Sequence, residues 1–177
     1  MDPSSQPAKS TILVGVDESE PTLAAIRFVT GHFTGTPRPQ VSLVHVLALP
    51  AVTVMDYSGG GPAFAGAMMP GVPSEMFGSN DLQAAARASL ARMDPLVTEL
   101  QRAGWAESQV LRRVLAGGVT KSAIADALVE QAQRDHADVV VVGRTRHGAL
   151  HDTLMRSTGE KLVHFGRNMT VCVVTAP

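Results

Sequence analysis

Cysteine is almost absent from this chain of 177 residues, since Cys172 is its single cysteine. An internal disulfide is therefore excluded, and a lone cysteine inside an apolar run is typical of packing in a reducing compartment. The first seven residues lack the basic, apolar and small-residue succession of a secretory signal. No run reaches the roughly 18 apolar residues of a membrane helix. We expect a cytoplasmic protein that has no membrane partner.

Charge of one sign is not in excess either. The 15 lysines and arginines nearly balance the 16 aspartates and glutamates, and the formal net charge is -1. A globally basic surface is therefore excluded, and we expect no nucleic-acid partner. Any cationic site has to be local.

The sequence also lacks the signatures of several enzyme classes. Gly-Val-Asp-Glu-Ser-Glu stands at 15–20, where a dinucleotide-binding protein carries Gly-x-Gly-x-x-Gly after its first strand. A P-loop, a nucleophile elbow and a Cys-x-x-Cys pair are absent as well. The sequence pattern brings no catalytic acid, base and nucleophile together. The sequence therefore predicts a protein that is not an enzyme.

What the sequence does contain is an alternation of short apolar runs and amphipathic segments. With 45% hydrophobic residues, the length suits one domain, which we place at 9–177 after a polar, disordered tail at 1–8. The predicted strands are 11–16, 41–46, 108–115, 139–142 and 169–174. Because helical periodicity separates them, we predict an open α/β fold. Its five-stranded parallel sheet has the order 3-2-1-4-5, with helices on both faces.

The alternation fails from 51 to 80. Glycines at 59–61 and prolines at 62, 70 and 73 interrupt every candidate helix or strand there. Such a segment is too long for an ordinary connection in a compact domain. We interpret it as an insertion that is a substrate lid, an interface arm or a disordered segment.

Capping and breaker residues predict where several elements begin and end. Ser19 is expected to cap the first helix, and Thr120 the helix before the valine-rich fourth strand. After the insertion, Asp94 and the proline that follows it either kink a long helix or restart it with Asp94 as the cap. Gly117 and its neighbouring glycine are expected to turn the chain out of the third strand, and Gly143 to end the fourth.

The predicted strand order places a crevice between the first and fourth strands. The winding direction reverses there, and ligands bind outside the carboxyl ends of strands at such a reversal. Val16 and Asp17 end the first strand, while Val142 and Gly143 end the fourth. Topology alone therefore brings Val16, Asp17 and the loop from Gly143 to Ser157 together around a crevice of nucleotide size, with Val142 at its border.

The loop that follows Gly143 is locally cationic, since it holds Arg144, Arg146 and Arg156. A serine three residues before Glu160 forms a capping-box signature for the next helix, and the free N–H groups of a helix start attract anions. The candidate ligand-binding residues in this loop are Arg146, Gly148, Arg156, Ser157 and Thr158. The sequence therefore predicts an anion-binding loop over the crevice.

Four segments, in this order and spacing, carry a resemblance to a known family: 12–19, 43–46, 138–143 and 169–174. They resemble the first, second, fourth and last strands of a universal stress protein domain, with its aspartate after the first strand and its His-Val in the second. The resemblance covers about 9–176. It implies an adenine nucleotide alpha hydrolase-like fold, ATP or AMP as a ligand, and a homodimer through the last strand, which begins at Met169 and ends at Val174.

Nucleotide-binding members of that family carry Gly-x2-Gly-x9-Gly-Ser/Thr after the fourth strand. Here Gly143 matches the first glycine, Arg146 replaces the second, Arg156 replaces the third, and Ser157 keeps the hydroxyl. Gly148 lies two residues beyond the second place. The motif is therefore degraded, and the loop resembles the branch of the family that is taken not to bind ATP.

Each candidate residue has a structural alternative. Asp17 either grips a ribose hydroxyl or caps the first helix, and Val46 either matches the adenine-side position of the family or belongs to the core. Arg146 and Arg156 either contact phosphate or are solvated surface charges. Ser157 is either a helix cap or a donor to phosphate.

The histidines give weaker signals. His45, in the second strand, is expected to be a hydrogen-bonded core histidine. His147 and His151 are four residues apart and could face one side of a turn. Two imidazoles without a third ligand nearby are a weak indication of metal, and we expect none.

Two functions remain open. The first is a stress-response module that acts as a homodimer through contacts with an unknown protein partner and has an impaired nucleotide pocket. The second is an ATP or AMP sensor with weak or no ATPase activity. Its ligand-binding residues would be Val16, Asp17, Val46, Gly143, Arg146 and Ser157. The missing glycines favour the first function, and the cationic loop with Asp17 keeps the second open.

Overall fold

A computed structural model describes residues 10–17, 19–49, 79–118, 120–144, 162 and 169–176. The strands are β1 (Thr11–Val16), β2 (Gln40–Leu49), β3 (Val110–Gly118), β4 (Val139–Arg144) and β5 (Thr170–Thr175). The helices are α1 (Glu20–His32), α2 (Ser79–Arg92), α3 (Asp94–Arg102), a 3-10 turn (Glu107–Gln109) and α4 (Lys121–Arg134). All neighbouring strands run parallel, in the order β3-β2-β1-β4-β5. The predicted fold class and strand order are confirmed.

The strand β1 lies at the centre of this sheet. It pairs with β2 on one side, where Val16 lies opposite His45, and with β4 on the other, where Gly15 lies opposite Val142. Parallel strands that are covered on both faces are typically apolar throughout. The valine run of β4 fits this rule, since Val140 and Val141 are completely buried.

Asp138 joins three strands at the opposite, amino end of the sheet. The Thr11 N–H donates to the Asp138 carboxylate at 2.9 Å, and the Asp138 N–H donates to the Thr11 carbonyl, also at 2.9 Å. The Asp138 carbonyl accepts from the Thr170 N–H at 2.8 Å. One residue therefore ties β4 to β1 and to β5 before the strands begin.

Two hydrophobic clusters cover the two faces of the sheet. On one face the strands pack against α1 and α3; the largest fully buried side chains there are Ile12, Ile26, Leu43, Met93 and Leu100. On the other face they pack against α4 and the helical residue Leu162; the buried core there includes Leu13, Val44, Leu128, Ala132 and Val140. Helices on both faces are what the alternation of elements predicts.

Cys172 packs against the first of these clusters from β5. Partial burial raises the pKa of its thiol, because desolvation disfavours the thiolate. A thiol that stays protonated is a poor nucleophile. The predicted packing role of Cys172 therefore agrees with its surroundings.

The two predicted helix caps behave differently. The Thr120 hydroxyl oxygen accepts from the Ala123 N–H at 3.2 Å, as predicted. Ser19 is the cap residue of α1 by position, but its hydroxyl makes no capping bond to the helix. It donates to the Asp17 carboxylate instead.

Three strands extend further than the sequence indicates. β2 continues to Leu49, β3 includes both glycines after Ala116, and β4 continues past Gly143 to Arg144. Gly117 belongs in β3 because its missing Cβ makes room for Val46, whose Cγ1 would lie 2.3 Å from such an atom. The prediction that these glycines end their strands is wrong, since close packing rather than a turn requires Gly117.

The long helix after the insertion restarts, and the predicted cap is off by one residue. Met93 is the cap of α3, and Asp94 is the first residue of the helix, where its carboxylate forms an ion pair with Arg112 of β3. A carboxylate in the first turn is favourable beside the free N–H groups of the helix start. α2 already begins at Ser79, so the last two residues of the predicted insertion are helical.

The tail at 1–8 and most of the insertion, 51–78, lie outside the described residues. The same is true of the last predicted helix, 158–164, except Leu162. Among the helices that the structure does describe, none is both long and apolar enough to cross a membrane.

Trp105 anchors the amino end of the sheet. Its side chain is 2% exposed and belongs to the first cluster, and its indole N–H donates to the Pro39 carbonyl at 3.0 Å. The Arg38 guanidinium carbon lies 4.4 Å from the ring centroid, a cation–π distance. Gly104, at φ +96, sets the turn that brings the ring there. The α3–β3 connection is thereby fastened to the start of β2.

Candidate functional site

The candidate site lies where β1 and β4 end. The last paired residues of the two strands are Gly15 and Val142. Continuing the register by one residue places Val16 beside Gly143. The residues after these are Asp17 and Arg144. The connection from β1 enters α1, whose second residue is Pro21. The structure therefore brings Val16, Asp17, Val142 and Gly143 together, as the topology predicts.

Gly143 is in close contact with the first turn of α1. A Cβ at this position would lie 2.3 Å from the Pro21 carbonyl oxygen and 2.6 Å from its Cβ. Real Cβ atoms do not approach backbone atoms this closely, so packing alone requires glycine. Its presence is therefore explained without a phosphate.

Asp17 organises the turn between β1 and α1. One carboxylate oxygen, Oδ1, accepts from the Ser19 N–H at 3.0 Å, from the Ser19 hydroxyl and from the Thr22 hydroxyl at 2.7 Å. The Asp17 N–H in turn lies 3.0 Å from the Thr22 hydroxyl oxygen. The second oxygen, Oδ2, accepts no hydrogen bond from the described residues. Asp17 therefore orders the turn before α1 but does not cap the helix as predicted, because its carboxylate accepts from no N–H of α1 among the described residues. Its Oδ2 is left as an acceptor for the other prediction, a ribose hydroxyl.

These contacts set the charge state of Asp17. Partial burial acts to raise its pKa, but the hydrogen bonds from Ser19 and Thr22 and the electrostatic interaction with His45 outweigh it, so the pKa lies below the ordinary value of 3.8. Asp17 is therefore ionised at neutral pH. Because the pKa of Asp17 is lower in the folded protein than in the unfolded chain, its ionised carboxylate stabilises the fold. This stabilisation is complete above the ordinary pKa and is lost as the pH falls through the folded pKa.

His45 links β2 to the end of β1. Its Nδ1 lies 3.0 Å from the Val16 carbonyl oxygen, so this nitrogen carries the proton and donates. The side chain is half-buried, and Nε2 has no hydrogen-bond partner in the part of the chain that the structure describes. His45 is hydrogen-bonded, as predicted, but it lies at the site rather than inside the core.

The three valines of the candidate site are packed to different extents. Val16 is buried in the first cluster, 7% exposed. Val46 and Val142 are half-buried against the second cluster. Val142 also packs over Gly15, since a Cβ added at Gly15 would lie 3.1 Å from the Val142 Cγ1. Core packing accounts for Val16. Val142 lies two residues before the end of β4, and Val46 follows His45, which lies opposite the last residue of β1.

Five candidate residues of the loop lie outside the described residues: Arg146, Gly148, Arg156, Ser157 and Thr158. Their assignment to ligand stays a prediction, as does the weak histidine pair at 147 and 151. Among the described residues no group of three His, Cys, Asp or Glu side chains could hold a metal ion.

Thr22 is not among the site residues predicted from the sequence, and Arg144 is predicted only as one of the cationic residues of the loop after β4. Thr22 contacts Asp17 because the first turn of α1 folds back on the end of β1, which follows from Pro21 packing on Gly143. Arg144 is the last residue of β4. The structure therefore places it in the strand rather than in the loop where the sequence reasoning put it.

Comparison with known proteins shows what this fold is. Neither a protein-family model nor a curated protein sequence matches the chain. Solved structures do match it. The hypothetical protein MJ0577 is 19% identical with a TM-score of 0.63, and the alignment covers 96% of this chain and 97% of that one.

Two universal stress proteins also match over nearly their whole length. One was solved in complex with cAMP; it is 18% identical with a TM-score of 0.51, over 95% of this chain and 96% of that one. The other, from Archaeoglobus fulgidus, was solved in complex with dAMP; it is 18% identical with a TM-score of 0.52, over 93% and 97%. The chain has the universal stress protein fold.

The universal stress protein fold explains the position of the candidate site. The reversal of winding between β1 and β4 puts two strand ends and the start of α1 around one crevice. At these identities the likeness concerns the fold, so what the crevice binds has to be argued from this chain's own residues.

Proposed function

We propose that this chain is a non-catalytic stress-response module that works in the cytoplasm as a homodimer and acts on an unidentified protein partner. The observation that carries the proposal is the likeness to universal stress proteins over nearly the whole chain. Two features support the non-catalytic reading. Gly143 is required by its contact with Pro21, and arginine replaces the other two motif glycines.

The proposed dimer forms through β5. This strand ends the sheet, so within the described residues one of its edges has no strand beside it. Its residue Val173 is 43% exposed. An apolar strand with a free edge is prone to pair with a second copy of itself, and an isologous contact is the commonest symmetry of homodimers.

Val173→Asp is expected to convert the dimer into monomers, because two carboxylates would face each other across an isologous contact. Sedimentation velocity measures the change. Leu23→Asp is the matched control, since Leu23 is also 43% exposed but lies on α1. A dimer that survives Val173→Asp would contradict the β5 interface, and a monomeric wild type would contradict the dimer itself.

A second function, binding of an adenine nucleotide, ATP or AMP, in the crevice, is favoured by Asp17. Its Oδ1 is held by Ser19 and Thr22, which leaves an ionised carboxylate with Oδ2 available for a ribose hydroxyl. Neighbouring structures with the same fold were solved with cAMP and dAMP. The nucleotide in this proposal acts as a bound signal and is not turned over.

Calorimetric titration with AMP and ATP separates the two functions. If the crevice binds nucleotide, heat is expected at millimolar ligand, and Asp17→Asn should weaken binding about tenfold, because it removes a charged acceptor but keeps an oxygen for Ser19 and Thr22. Asp94→Asn is the control, since Asp94 lies on α3 and pairs with Arg112. Absence of heat and of any thermal shift in the wild type would discard nucleotide binding and leave the first function.

A further inference from the structure

Thr22 is a buried polar residue in the first turn of α1, with a side chain that is 4% exposed. Its hydroxyl oxygen lies 2.7 Å from Oδ1 of Asp17, 3.0 Å from the Asp17 backbone nitrogen and 3.1 Å from the Asp17 carbonyl oxygen. A buried hydroxyl has to find its hydrogen-bond partners inside the protein. Thr22 finds all three in one residue, and that residue lies at the candidate site.

The directions of these hydrogen bonds follow from the chemistry of a hydroxyl group, which has one proton to donate and two lone pairs that accept. The Asp17 N–H donates to the Thr22 oxygen. The Thr22 proton goes to Oδ1, the closer acceptor and the charged one, because hydrogen bonds to an ionised acceptor are the stronger ones. Thr22 therefore holds both the backbone and the side chain of Asp17.

This pair of bonds decides which carboxylate oxygen of Asp17 is presented. The terminal torsion of an aspartate is broad, so a carboxylate without partners can exchange its two oxygens by rotation. Here Oδ1 is held from two sides, by the Ser19 N–H at 3.0 Å in the turn and by Thr22 from the helix. Oδ2 accepts from none of the described residues. Asp17 is an exposed residue, so a ligand can reach the side chain that carries this oxygen.

The charged groups around Asp17 come from three elements. His45 of β2 interacts with it electrostatically, Glu20 lies in the first turn of α1, and Arg144 stands at the same level of β4. No ion pair joins Asp17 to any of these three in the described part of the chain. Burial acts to raise the pKa of Asp17, whereas its hydrogen bonds, including the one from Thr22, lower it. The carboxylate thus owes its orientation to hydrogen bonds and not to an ion pair.

We propose that Thr22 is a positioning residue of the crevice, whose hydroxyl orients the Asp17 carboxylate so that Oδ2 is presented to a sugar hydroxyl of the ligand. Thr22 is buried and acts only through Asp17. The role in ligand binding rests on the proposed nucleotide binding, while the orientation of Asp17 does not.

Titration of the Asp17 carboxyl carbon by NMR tests the orientation without a ligand. Thr22→Val removes the hydroxyl but keeps a β-branched side chain, and it is expected to raise the pKa of Asp17. Thr22→Ser retains the hydroxyl and should titrate like the wild type. Thr30→Val is the matched control, since Thr30 lies on the same helix and its hydroxyl donates to the Arg27 carbonyl at 3.1 Å. An Asp17 pKa that is the same in Thr22→Val and the wild type would overturn the inference.

Calorimetric titration with adenosine measures the consequence for binding, because adenosine carries the sugar hydroxyls without a phosphate. Thr22→Val is expected to weaken adenosine binding about fivefold, the effect of one lost hydrogen bond, and Thr22→Ser should bind like the wild type. In an Asp17→Ala background, Thr22→Val should bring no further loss, since the two residues act as a unit. A fivefold loss in that background as well would assign Thr22 to the fold and overturn its positioning role.

The two measurements separate this role from the proposed function. If the wild type binds neither adenosine nor AMP, nucleotide binding fails, and the NMR titration alone decides whether Thr22 orients Asp17. If the wild type and Thr22→Val bind adenosine equally well, the positioning role is overturned while nucleotide binding stands.

Discussion

Gly143→Ala is expected to lower the free energy of unfolding by about 3 kcal/mol. The added Cβ would lie 2.3 Å from the Pro21 carbonyl oxygen and 2.4 Å from its carbonyl carbon, and neither backbone atom can rotate away. Overpacking of this kind typically costs about 1–3 kcal/mol, and the upper end applies where backbone has to shift. The first turn of α1 would be pushed off β4. Equilibrium unfolding in urea measures the loss.

Gly31→Ala is the matched control for this substitution. Gly31 lies near the end of α1, and nothing stands within 4 Å of the position of its Cβ. Alanine is the better helix former by about 1 kcal/mol, so this variant should be as stable as the wild type or slightly more so. If Gly143→Ala unfolds with the wild-type midpoint, the contact between α1 and β4 is looser than the structure has it.

Trp105→Ala is expected to cost about 3–5 kcal/mol, the range for deleting a buried tryptophan. The substitution empties a site in the first hydrophobic cluster, removes the donor to the Pro39 carbonyl and takes away the ring beneath Arg38. Because these contacts fasten the α3–β3 connection to the start of β2, the edge strand should loosen first. Far-ultraviolet circular dichroism during urea unfolding follows the loss without needing the indole.

Trp105→Phe tests which part of the contact matters. Phenylalanine fills most of the site but cannot donate to Pro39, so a smaller loss of about 1–2 kcal/mol is expected. Leu23→Ala is the control at an exposed apolar position and should stay within about 0.5 kcal/mol of the wild type. A Trp105→Ala variant as stable as the Leu23→Ala variant would show that the aromatic anchor contributes nothing.

The sheet was predictable because its signals are periodic and local. The apolar runs of β1 and β4 and the helices between strands leave one simple order, and the structure has it. Strand ends were not predictable in the same way. Gly117 reads as a turn in the sequence, but Val46 on the neighbouring strand fills the space over it, and only the paired strands reveal this.

The candidate site was likewise predictable from the sequence only in part. Val16, Asp17 and Gly143 follow from the strand order, since position in a parallel sheet fixes which ends meet. The hydrogen bond from His45 to the Val16 carbonyl depends on side-chain directions across two strands. No periodicity in one strand carries that information.

The hydrogen bonds of Asp138 decide which residues meet at the far end of the sheet. By clamping Thr11 through both its carboxylate and its N–H, Asp138 sets the register of β4 against β1. A slip of one residue would exchange the two sides of β4 and drive a guanidinium toward Pro21, where only a hydrogen atom fits. A carboxylate six residues before Arg144 thus selects the chemistry presented at the crevice.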